Sequence, residues 1–118
     1  LAAGRVTGLR LGDGSRLSAP TVIVCTGAFL LAAAGPARGE RVPTHWGFID
    51  QLRARNEAAE VLEKVRYVRD GNVVTAAGVS AGIDMALWLV GQIESPDFAR
   101  NVQRAMEYDP APPYAAAV

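Results

Sequence analysis

One cysteine and one histidine occur in these 118 residues. A single thiol cannot close an intrachain disulfide, so Cys25 is left either for chemistry or for plain burial, and a reducing, cytoplasmic setting is expected. A single imidazole means that any histidine acting as base or as partner to that thiol must be His45. Charge of one sign is also missing. Twelve basic and twelve acidic side chains cancel, which leaves no field to favour nucleic acid or an anionic membrane surface. No apolar run reaches membrane-spanning length, because the stretch from Thr21 to Ala34 is broken by Gly27. No charged leader with a cleavage site precedes it. Internal repeats are absent, and the only low-complexity stretch is a short Ala/Pro tail. The chain opens on Leu1 instead of methionine, the pattern of a fragment.

What is present suits one folded domain: half the residues are apolar and a fifth are charged. Val6–Leu11 and Ser15–Leu17 read as a hairpin around Gly12-Asp13-Gly14. The β-branched run Thr21–Val24, bounded by Pro20 and Gly27, reads as a strand buried on both faces. Cys25 falls at its carboxyl end. Gly27 to Ala34 predicts a helix that is apolar on every face and therefore buried, stopped by Gly35-Pro36. A short strand is expected over Val42–His45. A surface helix follows over Trp46–Ala54, with Trp46, Ile49 and Leu52 on its inner side, and the helix-prone Asn56–Glu63 continues or follows it.

Val65–Val68 and Val73–Ala76 flank Arg69-Asp70-Gly71-Asn72 as a second hairpin. Ser80 is expected to cap a largely apolar helix over the next dozen residues, and Ser95-Pro96 marks another helix start, with Phe98, Val102 and Met106 as its stripe. The tail from Asp109 should be extended. This order predicts an α/β protein with a largely parallel sheet.

In open α/β sheets, sites gather outside the carboxyl ends of strands, where helix amino termini present free N–H groups. Cys25, on a strand-to-helix turn, meets that description. A helix's partial positive charge there favours thiolate over thiol. The N–H groups of Thr26 and Gly27 could face an anion formed after attack, and the Thr26 hydroxyl could donate to the same place. Lacking Cβ, Gly27 admits a substrate closely. The loop Gly78-Val79-Ser80-Ala81-Gly82 could bring another helix start beside the site. Each feature also has a plain structural explanation. A lone cysteine in an apolar run is more often core than catalyst, His45 could simply pack on Trp46, glycine and serine at Gly78 and Ser80 suit any helix cap, and Asp84 in a first turn complements the helix dipole.

Five stretches, taken together, resemble the ThiJ/PfpI superfamily: Val24-Cys25-Thr26-Gly27-Ala28-Phe29-Leu30-Leu31-Ala32-Ala33-Ala34-Gly35, Thr44-His45-Trp46, Arg66 to Asn72, Ala77 to Asp84, and Glu107-Tyr108-Asp109-Pro110-Ala111-Pro112-Pro113. The first and last are similar to the isonitrile hydratase branch. The resemblance covers about Val22 to Tyr114 and places a domain over residues 21–114, with an atypical hairpin segment over 1–20 and a tail over 115–118. It implies a flavodoxin-like fold, a homodimer when complete, a small-molecule substrate, and neither metal nor organic cofactor. By this resemblance the Cys25 thiolate adds to an isonitrile carbon, water converts the resulting thioimidate to an N-substituted formamide, and Thr26 orients or protonates the intermediate. His45 is the remaining catalytic candidate, and Gly27, Gly78 and Ser80 are candidates for holding the substrate or its anion.

The family's first strands, with an acidic residue beside the nucleophile, have no counterpart, so the sheet is expected to be incomplete at its amino end. Arg5–Leu9 and Thr21–Val24 are also similar to a hairpin and strand of FAD-dependent oxidoreductases, a short pattern that nothing after Phe29 continues. Two other functions stay open beside the hydratase: a ligand-sensing module of a transcription regulator, since such modules precede helix-turn-helix domains, and an inactive fragment.

Overall fold

The computed structural model describes residues 8–10, 16–18, 22–25 and 27–113, with side chains from residue 27 onward. Two short strands, β1 (Gly8–Arg10) and β2 (Arg16–Ser18), pair antiparallel in the hairpin expected there, whose turn lies outside the described residues. Strand β3 (Val22–Cys25) leads into helix α1 (Ala28–Ala34). Gly35 closes that helix at φ 98°, a left-handed conformation that glycine adopts without a Cβ penalty.

Next come β4 (Arg41–Pro43), a 3-10 turn (Trp46–Phe48), α2 (Ile49–Ala54) and β5 (Glu60–Leu62). The second hairpin is β6 (Tyr67–Asp70) with β7 (Val73–Ala76), turned by Gly71 at φ 57°. Helices α3 (Val79–Ile93) and α4 (Pro96–Ala105) are the last regular elements among the described residues, and Asp109 to Pro113 form neither helix nor strand, as the prolines require.

The fold is α/β. A three-stranded sheet has the order β3-β7-β6, with β3 parallel to β7 and β6 antiparallel to it, while β4 and β5 form a separate parallel pair. Side chains alternate along β7 and divide the core. Val73 joins Ala28, Leu31, Ala32, Val42 and Leu52 on the α1 side, whereas Val74 and Ala76 meet Ala81 and Met85 of α3 on the other. Arg41 clips the two sheets together: its backbone N–H and its Nε donate to Asp70 Oδ2 at 2.7 and 3.1 Å. Among the described residues, no helix is long and apolar enough to cross a membrane.

Several elements depart from the sequence expectations. The stretch Asn56–Glu63 is not helical. Asn56 adopts φ 50°, which ends α2, and Val61 is buried in register with Val42 as part of β5. Arg53 of α2 holds that strand through the Val61 carbonyl at 3.3 Å and Glu63 at 2.6 Å. Helix α1 is buried on one face only: Ala28, Leu31 and Ala32 are covered, but Leu30 is 73% exposed. Strand β4 stops at Pro43, leaving His45 beyond it, and Trp46 is 75% exposed while Leu52 is buried. Helix α3 starts two residues earlier than expected. Gly78 is its N-cap, so Ser80 lies inside the first turn. The start of α4 is as expected, with Ser95 Oγ accepting the Phe98 N–H at 3.1 Å and proline at the first position. Its stripe, however, faces solvent in part: Phe98 is 51% and Met106 54% exposed.

Candidate functional site

Strands β3 and β7 end, and the antiparallel β6 begins, in one row: Cys25 is aligned with Ala76, and Ala76 with Tyr67. Two helices begin just past this row. Buried Gly27 caps α1, its carbonyl accepting the Leu31 N–H at 3.0 Å, and Gly78 caps α3 in extended conformation, its carbonyl accepting from Gly82 at 2.8 Å. Cys25 and Gly78 are thereby brought to the same end of the sheet, where helix starts concentrate partial positive charge. Thr26 lies outside the described residues.

His45 follows β4, outside the three-stranded sheet. It caps the 3-10 turn, and its Nδ1 accepts the Gly47 N–H at 3.2 Å, an arrangement that requires a lone pair on Nδ1 and leaves the ring proton on Nε2. Its ring lies 5.4 Å from Trp46 and 5.6 Å from Phe48, and Phe48 meets Phe29 of α1 edge-on at 6.2 Å. The packing on Trp46 is as the plain reading has it. The connection from His45 to the first turn of α1 runs through two aromatic rings.

Ser80 is exposed, and its Oγ accepts from an Arg66 terminal nitrogen at 3.3 Å. Arg66 belongs to a cluster that residue types alone did not single out. Its Nε donates to Asp84 Oδ2, and the Tyr108 hydroxyl donates to Asp84 Oδ1 at 2.8 Å. Hydrogen bonding to Asp84, then burial, then the Asp84 charge raise the Tyr108 hydroxyl above the ordinary tyrosine range. The expected first-turn position of Asp84 is not observed: α3 starts at Val79, so Asp84 lies in its second turn, and the helix dipole does not account for it. Arg66 and Tyr108 are 42 positions apart in sequence numbering, so nothing local could pair them.

The DJ-1/PfpI family matches residues 14–92, well over half of the chain. This chain belongs to the DJ-1/PfpI family. Isonitrile hydratase of Pseudomonas putida is 45% identical over 91 residues, covering 77% of this chain and 39% of that protein. The HTH-type transcriptional regulator CdhR of Pseudomonas aeruginosa is 35% identical over 77 residues, 65% of this chain and 23% of its own length. Among solved structures, a ThiJ/PfpI family protein from Pseudomonas syringae superposes with a TM-score of 0.74 at 36% identity, covering 86% of this chain and 41% of that one. The chain thus spans about two fifths of the length of the hydratase and of the P. syringae protein. Within this DJ-1/PfpI domain, the described sheet and flanking helices form part of the α/β architecture that the family shares.

Proposed function

We propose that this chain carries the nucleophile-bearing part of a Cys25-dependent hydratase that adds water to an isonitrile. The observation that carries the reading is the 45% identity to isonitrile hydratase over 91 residues, joined to the position of Cys25 at the end of β3, level with Ala76 and just before two helix starts. In this reading the Cys25 thiolate forms an S–C bond to the terminal isonitrile carbon, which takes up a proton to give a thioimidate. Water then adds to that carbon, nitrogen is protonated, and the S–C bond breaks to release the N-substituted formamide and regenerate the thiolate. In this proposal Thr26 contributes a hydroxyl, Gly27 a backbone N–H for the developing charge, and Gly78 and Ser80 border the substrate. His45 is the one imidazole in the sequence and the remaining candidate for proton transfer. The reaction needs neither metal nor organic cofactor. Residues 21–114 form the carboxyl-terminal portion of the functional domain, which when complete acts as a homodimer in the cytoplasm on a small-molecule substrate.

Incubation with an alkyl isonitrile, with formamide followed by mass spectrometry, tests this. Formation above the uncatalysed rate, lost in Cys25→Ala, is expected; no turnover, or equal turnover in the variant, overturns it.

The similarity to CdhR favours a second reading, a ligand-sensing module. That reading predicts that Cys25→Ala still binds its small molecule, and that the gene encodes a helix-turn-helix domain downstream.

A further inference from the structure

Three segments distant in sequence converge on the first two turns of α3. Arg66 precedes β6, Asp84 lies on α3, and Tyr108 follows α4. Asp84 accepts from both of the others, one on each carboxylate oxygen. Arg66 also reaches Ser80 Oγ at 3.3 Å, the Tyr108 hydroxyl lies 3.5 Å from the Ser80 carbonyl, and the Tyr108 carbonyl accepts from Gln103 Nε2 at 3.1 Å. The cluster is anchored to the sheet as well. The Arg66 carbonyl accepts the Ala77 N–H at 2.8 Å, one residue beyond the Cys25, Ala76, Tyr67 row.

We propose that Arg66, Asp84 and Tyr108 are positioning residues for the Cys25 reaction: together they pin the first turns of α3 at the sheet end that carries Cys25. This rests on the proposed role of Cys25. The physical reason lies in the two helices that begin there. Helix α1 has only seven residues, whereas α3 has fifteen. The influence of a helix terminus falls off within its first turn, so its effect on a neighbouring thiolate depends on where that turn is held. Apolar packing holds α3 chiefly through Ala81, Gly82 and Met85 on its sheet-facing side. Val79, at its start, is 76% exposed and contributes little grip. The guanidinium, the carboxylate and the phenol add directional bonds at this end to the apolar contacts of Ala81 and Gly82. A fork fixes direction as well as distance, which a lysine cannot reproduce.

Cys25 is the only cysteine, so alkylation by iodoacetamide reports on it alone. The test measures alkylation rate against pH, together with kcat and KM for an isonitrile and the thermal midpoint, in wild type, Asp84→Asn, Tyr108→Phe, Arg66→Gln and Arg66→Lys. The alkylation midpoint is expected to rise by roughly half a unit to one unit in Asp84→Asn and Tyr108→Phe. Thermal midpoints should stay within a few degrees, kcat should fall more than KM rises, and Arg66→Lys should recover only part of what Arg66→Gln loses. An unchanged alkylation midpoint in the folded variants overturns the proposal, and Tyr108→Phe, the loss of one hydroxyl, keeps the test available should Asp84→Asn not fold. The two readings fail separately. A midpoint that moves in a protein with no isonitrile turnover leaves the positioning role standing and removes the hydratase, whereas normal turnover with unmoved midpoints does the reverse.

Discussion

The two faces of the β3-β7-β6 sheet are covered by different means. On the α1 face, Ala28, Leu31, Ala32, Ala37, Val42, Leu52, Val61 and Val73 form one buried cluster, with Phe29 and Ile49 packed at its margin. Among the described residues, the buried apolar cluster on the α3 face is Val74, Ala76, Ala81 and Met85, with Tyr67 and Trp88 in partial contact, and α4 buries no residue at all. Apolar burial closes the first face, while the second relies on the Arg66, Asp84 and Tyr108 contacts at the end where α3 begins. The difference teaches that the side bearing most of the stability and the side bearing the candidate chemistry need not coincide. Non-directional burial suits the former, and directional bonds suit a place where geometry matters.

The largest stability effect is expected from Leu52→Ala. Leu52 is almost wholly buried in the α1-side cluster, and truncation should cost about 3 kcal/mol by denaturant unfolding. Met85→Ala on the other face leaves a cavity beside partly exposed neighbours able to collapse, and should cost nearer 2 kcal/mol. A reversed ranking would break the contrast between the faces. Thr75 sharpens it from the opposite direction. It is 1% exposed, and its hydroxyl, on the Val73 side of the strand, is buried with no hydrogen-bond partner among the described residues. Thr75→Val should therefore stabilise the fold by about 1 kcal/mol, read from the same unfolding curves.

Smaller effects come from the rim. The Arg41 side chain, through its hydrogen bond, with the Arg41 backbone N–H and charge adding to it, holds the Asp70 carboxyl below the ordinary 3.8. A depressed folded-state value means that this contribution is present above the unfolded value and is lost as pH falls through the folded one. Melting temperature should accordingly drop more steeply below about pH 4 in wild type than in Asp70→Asn, which starts lower at neutral pH and stays flatter. The smallest change is expected from Phe98→Ser on α4. Because that ring is half exposed, thermal unfolding should shift by less than about 0.5 kcal/mol.

Much of the architecture was legible in local signals. Asp70-Gly71 marked the second hairpin, Gly35-Pro36 the end of α1, and Ser95-Pro96 the start of α4, because each depends on φ preferences or caps formed within four residues. The strand ending at Cys25 was readable from its β-branched run for the same reason. The candidate site was legible only in outline: Gly27 and Gly78 stand at helix starts as glycines can, but Ser80 proved to be a partner of Arg66 instead of a cap.

By itself, then, the order of residues determined which short segments turn, extend or coil, since those choices are made by neighbours along the chain. Only the tertiary structure decided that helix-prone Asn56–Glu63 would contain a strand, because Val61 needed Val42 beside it, and that Leu30 would face outward from an apolar helix. The union of Arg66, Asp84 and Tyr108 belongs to the same class. A hydrogen bond between residues 18 or 24 positions apart has no local signature, and it forms only once the sheet and its helices have brought the partners within reach.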